Sequence, residues 1–372
     1  MSQPSDVIVI GAGIIGCAVA YELARRGASV ELVDGRPVGM GATQASAGIL
    51  APYKEAPEDH PLSDFTDRSL SLYDDFVTRV RSDSGHPVTY VRTGTLDVAA
   101  DEAAMVDLCT AAARLARRGV EAVLVDGRAV RTEEPHLSQA VLGGLLIPAH
   151  GFVSAAQLTH ATAAAARRHG MRLAEQRRVT RIARSGEGML VETERGTLTA
   201  GSVVLAAGSW SGSIAIDGVA APVPVIPVRG QLVSLAWSGP QLRRVVWSPR
   251  CYLVPWDEGT VLVGATVEQV GFDERTTVAG VRDLLDAACA LTPHAASAGF
   301  GGARAGLRPG TADDLPIVGT SSVLPRLMYA TGHYRNGVLL APLTAQLVAD
   351  AMLEGRIDPA LDSLSPSRFG DL

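Results

Sequence analysis

The sequence predicts an α/β protein: a Rossmann-like domain with an antiparallel β-rich domain interleaved in it. Three observations carry that prediction. The stretch from Asp6 to Asp34, DVIVIGAGIIGCAVAYELARRGASVELVD, reads as strand, glycine turn, helix and strand. The apolar run Ser202–Ala206 (SVVLA), ending in Ala207-Gly208, fits another buried parallel strand. Between Pro222 and Thr266 the texture changes to β-rich segments separated by turn signals, which suits a different layer.

The first stretch is the most informative. Asp6–Ile10 is a short β-branched run, long enough for a buried strand and too short for a helix. Gly11, Gly13 and Gly16 follow at GxGxxG spacing. The first permits a tight turn, the second lets backbone approach a pyrophosphate, and the third lets helix pack closely on strand. Ile15, Val19 and Leu23 recur at helical spacing, Gly27 ends that helix, and Ser29–Val33 returns as a strand. Asp34 closes it, where a carboxylate can accept hydrogen bonds from a ribose. The unit therefore predicts a dinucleotide on a helix N-terminus, without distinguishing NAD from FAD.

The totals narrow the classes. A chain of 372 residues with 47% hydrophobic and 19% charged residues has room for two cores. A net charge of -6 offers no footprint for nucleic acid or an anionic membrane. Cys17, Cys109, Cys251 and Cys289 lie far apart, so neither a zinc site nor a disulfide framework is expected and no metal is assigned. With no basic leader before the first strand and no uninterrupted apolar stretch near 20 residues, a cytoplasmic protein without a membrane span is expected.

After Asp34 and Gly35, small residues from Gly39 to Gly48 can lie flat on a planar ligand, with Thr43 and Ser46 offering hydroxyls. Ser63–Arg81 carries an apolar helical stripe; Val88–Val91 and Thr95–Val98 read as strands, and Asp101–Arg118 as a helix. Glu133–Pro135 and Val141–Pro148 read as turn and strand, and Ser154–His169 as a helix whose His160 and His169 are solvated or packed. Met171–Leu198 is a strand and a meander that Val179 opens, where it can pack an adenine; Gly208 follows the next buried strand. VPVIPVRGQLVSLAW, RCYLVPW and TVLVGAT form the β-rich part, parted at Trp237–Pro240 and Asp257–Gly259, and Val278–Leu291 is a helix stopped by Pro293. The limits expected are 1–86, 148–219 and 299–372 for the dinucleotide domain and 87–147 and 220–298 for the other. Leu327–Ala330 is a strand, Asn336 an N-cap, and Val338–Leu353 a helix with Pro342 in its first turns, where it would kink.

Two arginines and a tyrosine stand out as chemistry. Arg308 lies in a Gly/Pro-framed loop, where a guanidinium can grip a carboxylate bidentately. Arg335 precedes the last helix, whose N-terminus is a second electropositive end, and Tyr252 on a strand can add a hydrogen bond. No Ser–His–Asp order, metal cluster or P-loop is visible.

GAGIIG, AGIL, CYLVPW with VGAT, AGLRPGTADDLPIVG and ATGHYRNGVLLAP together resemble the D-amino-acid oxidase family of flavoproteins, and within it the glycine oxidases of thiamine biosynthesis. The likeness runs from about Asp6 to about Leu353, and the last two motifs are more specific than GxGxxG. It implies a Rossmann-like FAD-binding domain (GR2-type) with an interleaved antiparallel β-rich substrate domain. It also implies oxidation of a small amino acid, with O2 reduced to H2O2, in a homo-oligomer. By match of motif, Ile14, Ile15, Asp34, Gly35, Ala42, Thr43, Ala47, Gly48, Ile49 and Val179 would contact FAD. His333, Tyr334, Arg335, Asn336, Gly337, Val338 and Leu339 would close over the flavin ring. Arg308 would bind the substrate carboxylate, assisted by Arg335 and Tyr252.

The chain departs from the family at Arg250 and Ile49, where histidine and methionine are expected; both would border the substrate. The sarcosine oxidase branch links flavin to a cysteine, and none follows Cys289, so noncovalent FAD is expected. Two alternatives stay open: a dehydrogenase passing electrons to a non-oxygen acceptor, and a flavin-binding subunit without turnover. An NAD dehydrogenase leaves the GHYRNG ending without a purpose.

Overall fold

The computed structural model describes residues 5–55, 60–257 and 259–372. Residues 1–4, where no leader is expected, and Glu258 of the expected 257–259 turn lie outside the described residues. Among the described residues the strands form sheets of nine, eight and three.

Ser5–Ile10 stands inside the nine-stranded sheet with parallel partners on both sides, Val30–Val33 and the second half of Gly196–Leu205. Burial on both faces explains its unbroken apolar character. Gly196–Leu205 serves two neighbourhoods. Its first half pairs antiparallel with Gly188–Thr193, and its second half runs parallel to Ser5–Ile10 and to Leu327–Thr331. The helix Ile14–Arg25 covers one face of this sheet and packs against Ala155–Arg168 and the last helix, Gly337–Glu354, in one large core.

The eight-stranded sheet runs Gly299–Gly310, Ile226–Ala236, Thr260–Gly264, Tyr252–Asp257, Val245–Trp247, Thr95–Ala99, Gly143–Ile147, Val123–Asp126. It is antiparallel except at one seam, where Val245–Trp247 lies parallel to Thr95–Ala99. That seam joins strands from two separate stretches of chain. The helix Val278–Leu291 packs on one face of the sheet, with Val233, Leu253 and Val263.

Several expectations change. Ser63–Arg81 is two helices, Ser63–Ser71 and Tyr73–Ser84, broken at Leu72. The break is stitched to the last helix: Ser69 Oγ donates to the Leu339 carbonyl at 2.7 Å and Tyr73 Oη to the Val338 carbonyl at 2.6 Å. Pro342 explains the second bond. It has no N–H to give the carbonyl four residues back, and the tyrosine supplies the donor instead. The helix runs on through Pro342, and its length and composition equal those of a short membrane span, but most of it is buried inside the protein.

The strand Val123–Asp126 and helix Gly127–Glu133 were not expected; that strand is at the sheet edge with Val123 and Leu124 exposed, so it shows no alternation. Arg308 is not in a loop. It sits on the strand Gly299–Gly310, so the expected limit at 298 falls just before a strand of the eight-stranded sheet. This is an edge strand, where Pro309 is tolerated because one row of its backbone needs no partner.

Candidate active site

A cavity of about 510 Å³ is lined from both large sheets. At one end lies the glycine turn. A Cβ on Gly11, at φ +105°, would sit 2.3 Å from the Ala206 carbonyl oxygen, and one on Gly16 1.7 Å from the Gly11 oxygen. Gly16 thus sets the helix against the strand and does not line the cavity. Gly13 does, and a Cβ there would meet only Thr43 Oγ1, at 3.4 Å. Thr43 Oγ1 also accepts the Ile14 N–H at 3.2 Å, and Ser46 Oγ the Gly48 N–H at 3.1 Å, so these hydroxyls brace the wall rather than stand open.

Asp34 is held by two backbone donors, Ala12 N–H at 2.6 Å and Arg36 N–H at 2.7 Å. Burial raises its carboxyl above the usual range, against those donors and the nearby Arg36 charge. Gly35, Val179 and Gly208 line the same end. Sequence reasoning missed a group beside them. The Arg36 guanidinium stacks 4.0 Å from the Trp210 ring centre and grips Glu274 with bonds of 3.1 and 2.9 Å. No local pattern pairs Glu274 with a residue 238 positions earlier.

Ala42, Ala47, Gly48 and Ile49 form the small-residue wall, and His333 to Val338 face the cavity from the other end of the chain. Tyr334 adopts φ +45°, a left-handed conformation unusual for a tyrosine, and its N–H donates to the Pro309 carbonyl at 2.9 Å. That bond ties the loop to the strand of Arg308. His333 is buried and pairs with Thr344 Oγ1 at 3.2 Å; burial lowers it to about 3, so it is neutral near pH 7. Asn336 occupies the N-cap position of the last helix without a side-chain cap bond. Leu339 does not line the cavity; it is buried in the helical core.

The substrate candidates converge because two glycines clear the sheet. A Cβ on Gly230 would lie 2.2 Å from Arg308 Nη2, and one on Gly264 2.4 Å from the Tyr252 hydroxyl. Both positions share the sheet face, since Leu232 pairs with Gly264 and also contacts its open side. Arg308 Nη1 donates to the Thr266 carbonyl at 3.0 Å. Thr266 is fixed in turn: its hydroxyl donates to Glu268 at 2.5 Å and accepts from Gln231 N–H at 2.9 Å. Burial works against the Glu268 anion, but Arg229, Thr266 and Gln231 bond it and bring it down to about 2. Trp247, also missed from sequence, meets Tyr252 edge-on at 5.4 Å and lines the cavity. Arg250 is a correction. It is exposed and off the cavity, carried away by the turn between Val245–Trp247 and Tyr252–Asp257.

A glycine turn after a parallel strand, the start of the last helix and a guanidinium on the antiparallel sheet all line one cavity, an arrangement that suits a dinucleotide-dependent oxidoreductase. The comparisons agree and go further. The chain belongs to the FAD dependent oxidoreductase family, which matches residues 6–351. Glycine oxidase of Geobacillus kaustophilus (strain HTA426) is 34% identical over 94% of this chain and 93% of its own. A crystal structure of glycine oxidase from Geobacillus kaustophilus superposes with a TM-score of 0.94 at 33% identity, covering 99% of each chain. The bifunctional protein ThiO/ThiG of Synechocystis sp. is 34% identical over 99% of this chain but 55% of its own length, so the chain spans about half of that relative.

The residues present fit FAD. Gly11 and Gly13 leave the backbone open to a pyrophosphate, Asp34 stands at the ribose position, and the start of an 18-residue helix faces the cavity.

Proposed function

We propose that the protein oxidises a small amino acid, glycine first, with sarcosine and small D-amino acids as further candidates. The observation that carries this is the pair Arg308 and Tyr252, brought over Gly230 and Gly264 onto one face beside the cofactor cradle. A guanidinium there takes the substrate carboxylate, and the phenol adds a hydrogen bond that fixes its direction. Arg335 borders the same space from the loop after Leu327–Thr331. FAD, when bound, supplies the two-electron acceptor. The α-carbon gives up a hydride and the nitrogen a proton; the imine adds water and releases ammonia and the oxo acid. Two electrons and two protons then convert O2 to H2O2. Negative charge arising near the last helix meets its positive N-terminus.

The imine of glycine suits supply of the thiazole of thiamine, and the relative named ThiO/ThiG supports that setting. A cytoplasmic homo-oligomer is part of the same proposal; the exposed apolar side chains of Val278 and Phe300, which share one surface hollow away from the cavity, support the assembly, and light scattering tests it. Oxygen uptake with glycine, sarcosine and D-alanine, set against reduction of an artificial dye, tests the reaction. Uptake supports an oxidase; dye reduction without uptake indicates a dehydrogenase. An FAD-loaded protein inert to all three with both acceptors would end the proposal.

A further inference from the structure

The Asp34 end of the cavity is closed by side chains from both large sheets. Arg36 follows the strand Val30–Val33, and Trp210 lies in the turn Gly208–Ser213 after Gly196–Leu205; both strands belong to the nine-stranded sheet. Glu274 arrives from the other layer. It sits in the connection between Thr260–Gly264, a strand of the eight-stranded sheet, and the helix Val278–Leu291. All three residues line the cavity, and the Arg36 N–H is given to Asp34, which stands at the ribose position.

A buried arginine fixes that connection. Arg229, 4% exposed, pairs with Glu268 at 2.5 Å and with Asp273 at 2.9 Å, and donates to the Arg275 carbonyl at 3.2 Å. Both sequence neighbours of Glu274 are thus held, which leaves its carboxylate little freedom. Arg36 donates to that carboxylate at 3.1 and 2.9 Å while lying over the Trp210 ring, 4.0 Å from its centre. Phe272, two residues before Glu274, meets the same ring at 5.9 Å. The Arg36 and Glu274 side chains are each 34% exposed, so the pair stands at the cavity rim where the two layers meet. Exposed ion pairs are weak because ordering two long side chains offsets their attraction. Here the indole and the anchored connection have ordered both partners in advance.

We propose that Arg36, Trp210 and Glu274 form a clasp across the adenosine end of the FAD site. Arg36 and Trp210 wall the adenosine, and Glu274 is a positioning residue that holds Arg36 in place from the substrate layer. FAD leaves only when the ion pair opens. The clasp acts on the cofactor alone and is the same whichever amine the protein oxidises.

The test follows release of FAD from the purified loaded protein, read as the rise of flavin fluorescence after dilution. Release should speed up between about 20 and 500 mM NaCl, because salt screens a pair at the rim. Glu274→Gln should raise the release rate about three- to tenfold at low salt and remove most of that salt dependence. Arg36→Lys keeps the charge but not the flat fork, and should give an intermediate rate that still responds to salt. In an Arg36→Gln background, Glu274→Gln should add nothing, since the partner it positions is gone. If Glu274→Gln does not keep FAD through purification, Glu274→Asp, whose reach is shorter, carries the same comparison. Unchanged release in both single variants, single effects that multiply in the double variant, or a salt dependence that survives Glu274→Gln would each overturn the proposal.

Discussion

Arg308 shows how much a single side chain depends on what its neighbours lack. Its guanidinium lies across Gly230, and its Nη1 is anchored on the Thr266 carbonyl, which Glu268 and Gln231 hold in place. A charge-assisted hydrogen bond contributes about 1.5–3 kcal/mol, so Arg308→Ala should lower kcat/KM for glycine by roughly 10- to 150-fold. Steady-state oxygen uptake reads that directly. Gly230→Ala is a sharper probe, because its Cβ would stand 2.2 Å from Arg308 Nη2. It should raise KM without changing the FAD dissociation constant; weakened FAD binding with an unchanged KM would contradict the placement. At this scale the sequence is readable where chemistry names a residue. Arg308, Tyr252 and Asp34 were found from residue type and motif, whereas Trp247, Trp210 and Glu274 reach the cavity through packing between distant stretches that no local pattern encodes.

Single glycines and one proline decide how the elements fit. Gly16→Ala would drive a Cβ to 1.7 Å from the Gly11 oxygen, so the helix Ile14–Arg25 must move off its strand. Loss of bound FAD with retained secondary structure is the expected result, measured by flavin absorbance and circular dichroism. Tyr73→Phe removes the donor that serves the Val338 carbonyl left open by Pro342. A buried acceptor without its partner costs about 1–3 kcal/mol, so denaturant unfolding should show a drop of that size. Regular elements were legible because their periodicity is local: Val278–Leu291 and the glycine helix follow from apolar spacing alone. The Arg308 strand was not. Gly and Pro around it resemble a loop, and only pairing with Ile226–Ala236 makes it a strand. The helix broken at Leu72 was hidden for a related reason, since the break is set by its bonds to the last helix.

For the whole molecule, two buried histidines set the acid limit. His333 and His150 are each lowered to about 3 by burial, which disfavours their charged form; for His150 the charges of Arg92 and Lys54 add to this. Below the ordinary histidine value of 6.5 the unfolded chain binds protons that the folded chain refuses. Each residue's contribution is therefore intact above pH 6.5 and falls by about 1.4 kcal/mol per pH unit as the pH drops towards 3. Glu134 works the other way over the same range, because burial raises its carboxyl to about 7 and the folded chain takes up that proton more readily than the unfolded one. It offsets about one histidine, so unfolding measured between pH 7 and 5 should show a net loss of about 1.4 kcal/mol per pH unit, and His150→Asn should bring that slope close to zero. FAD acts in the opposite sense: bound at 100 times its dissociation constant it should stabilise the fold by about 2.7 kcal/mol.

The central claim is that the cavity joins an FAD cradle to an amino-acid site, so that a small amine held by Arg308 and Tyr252 reduces the flavin. Anaerobic mixing of the FAD-loaded protein with glycine, followed by admission of air, tests it most directly. The account predicts bleaching of the flavin absorbance, its recovery in air with H2O2 formed, and a much slower bleaching in Arg308→Ala. A flavin that neither glycine, sarcosine nor any small D-amino acid bleaches would contradict it.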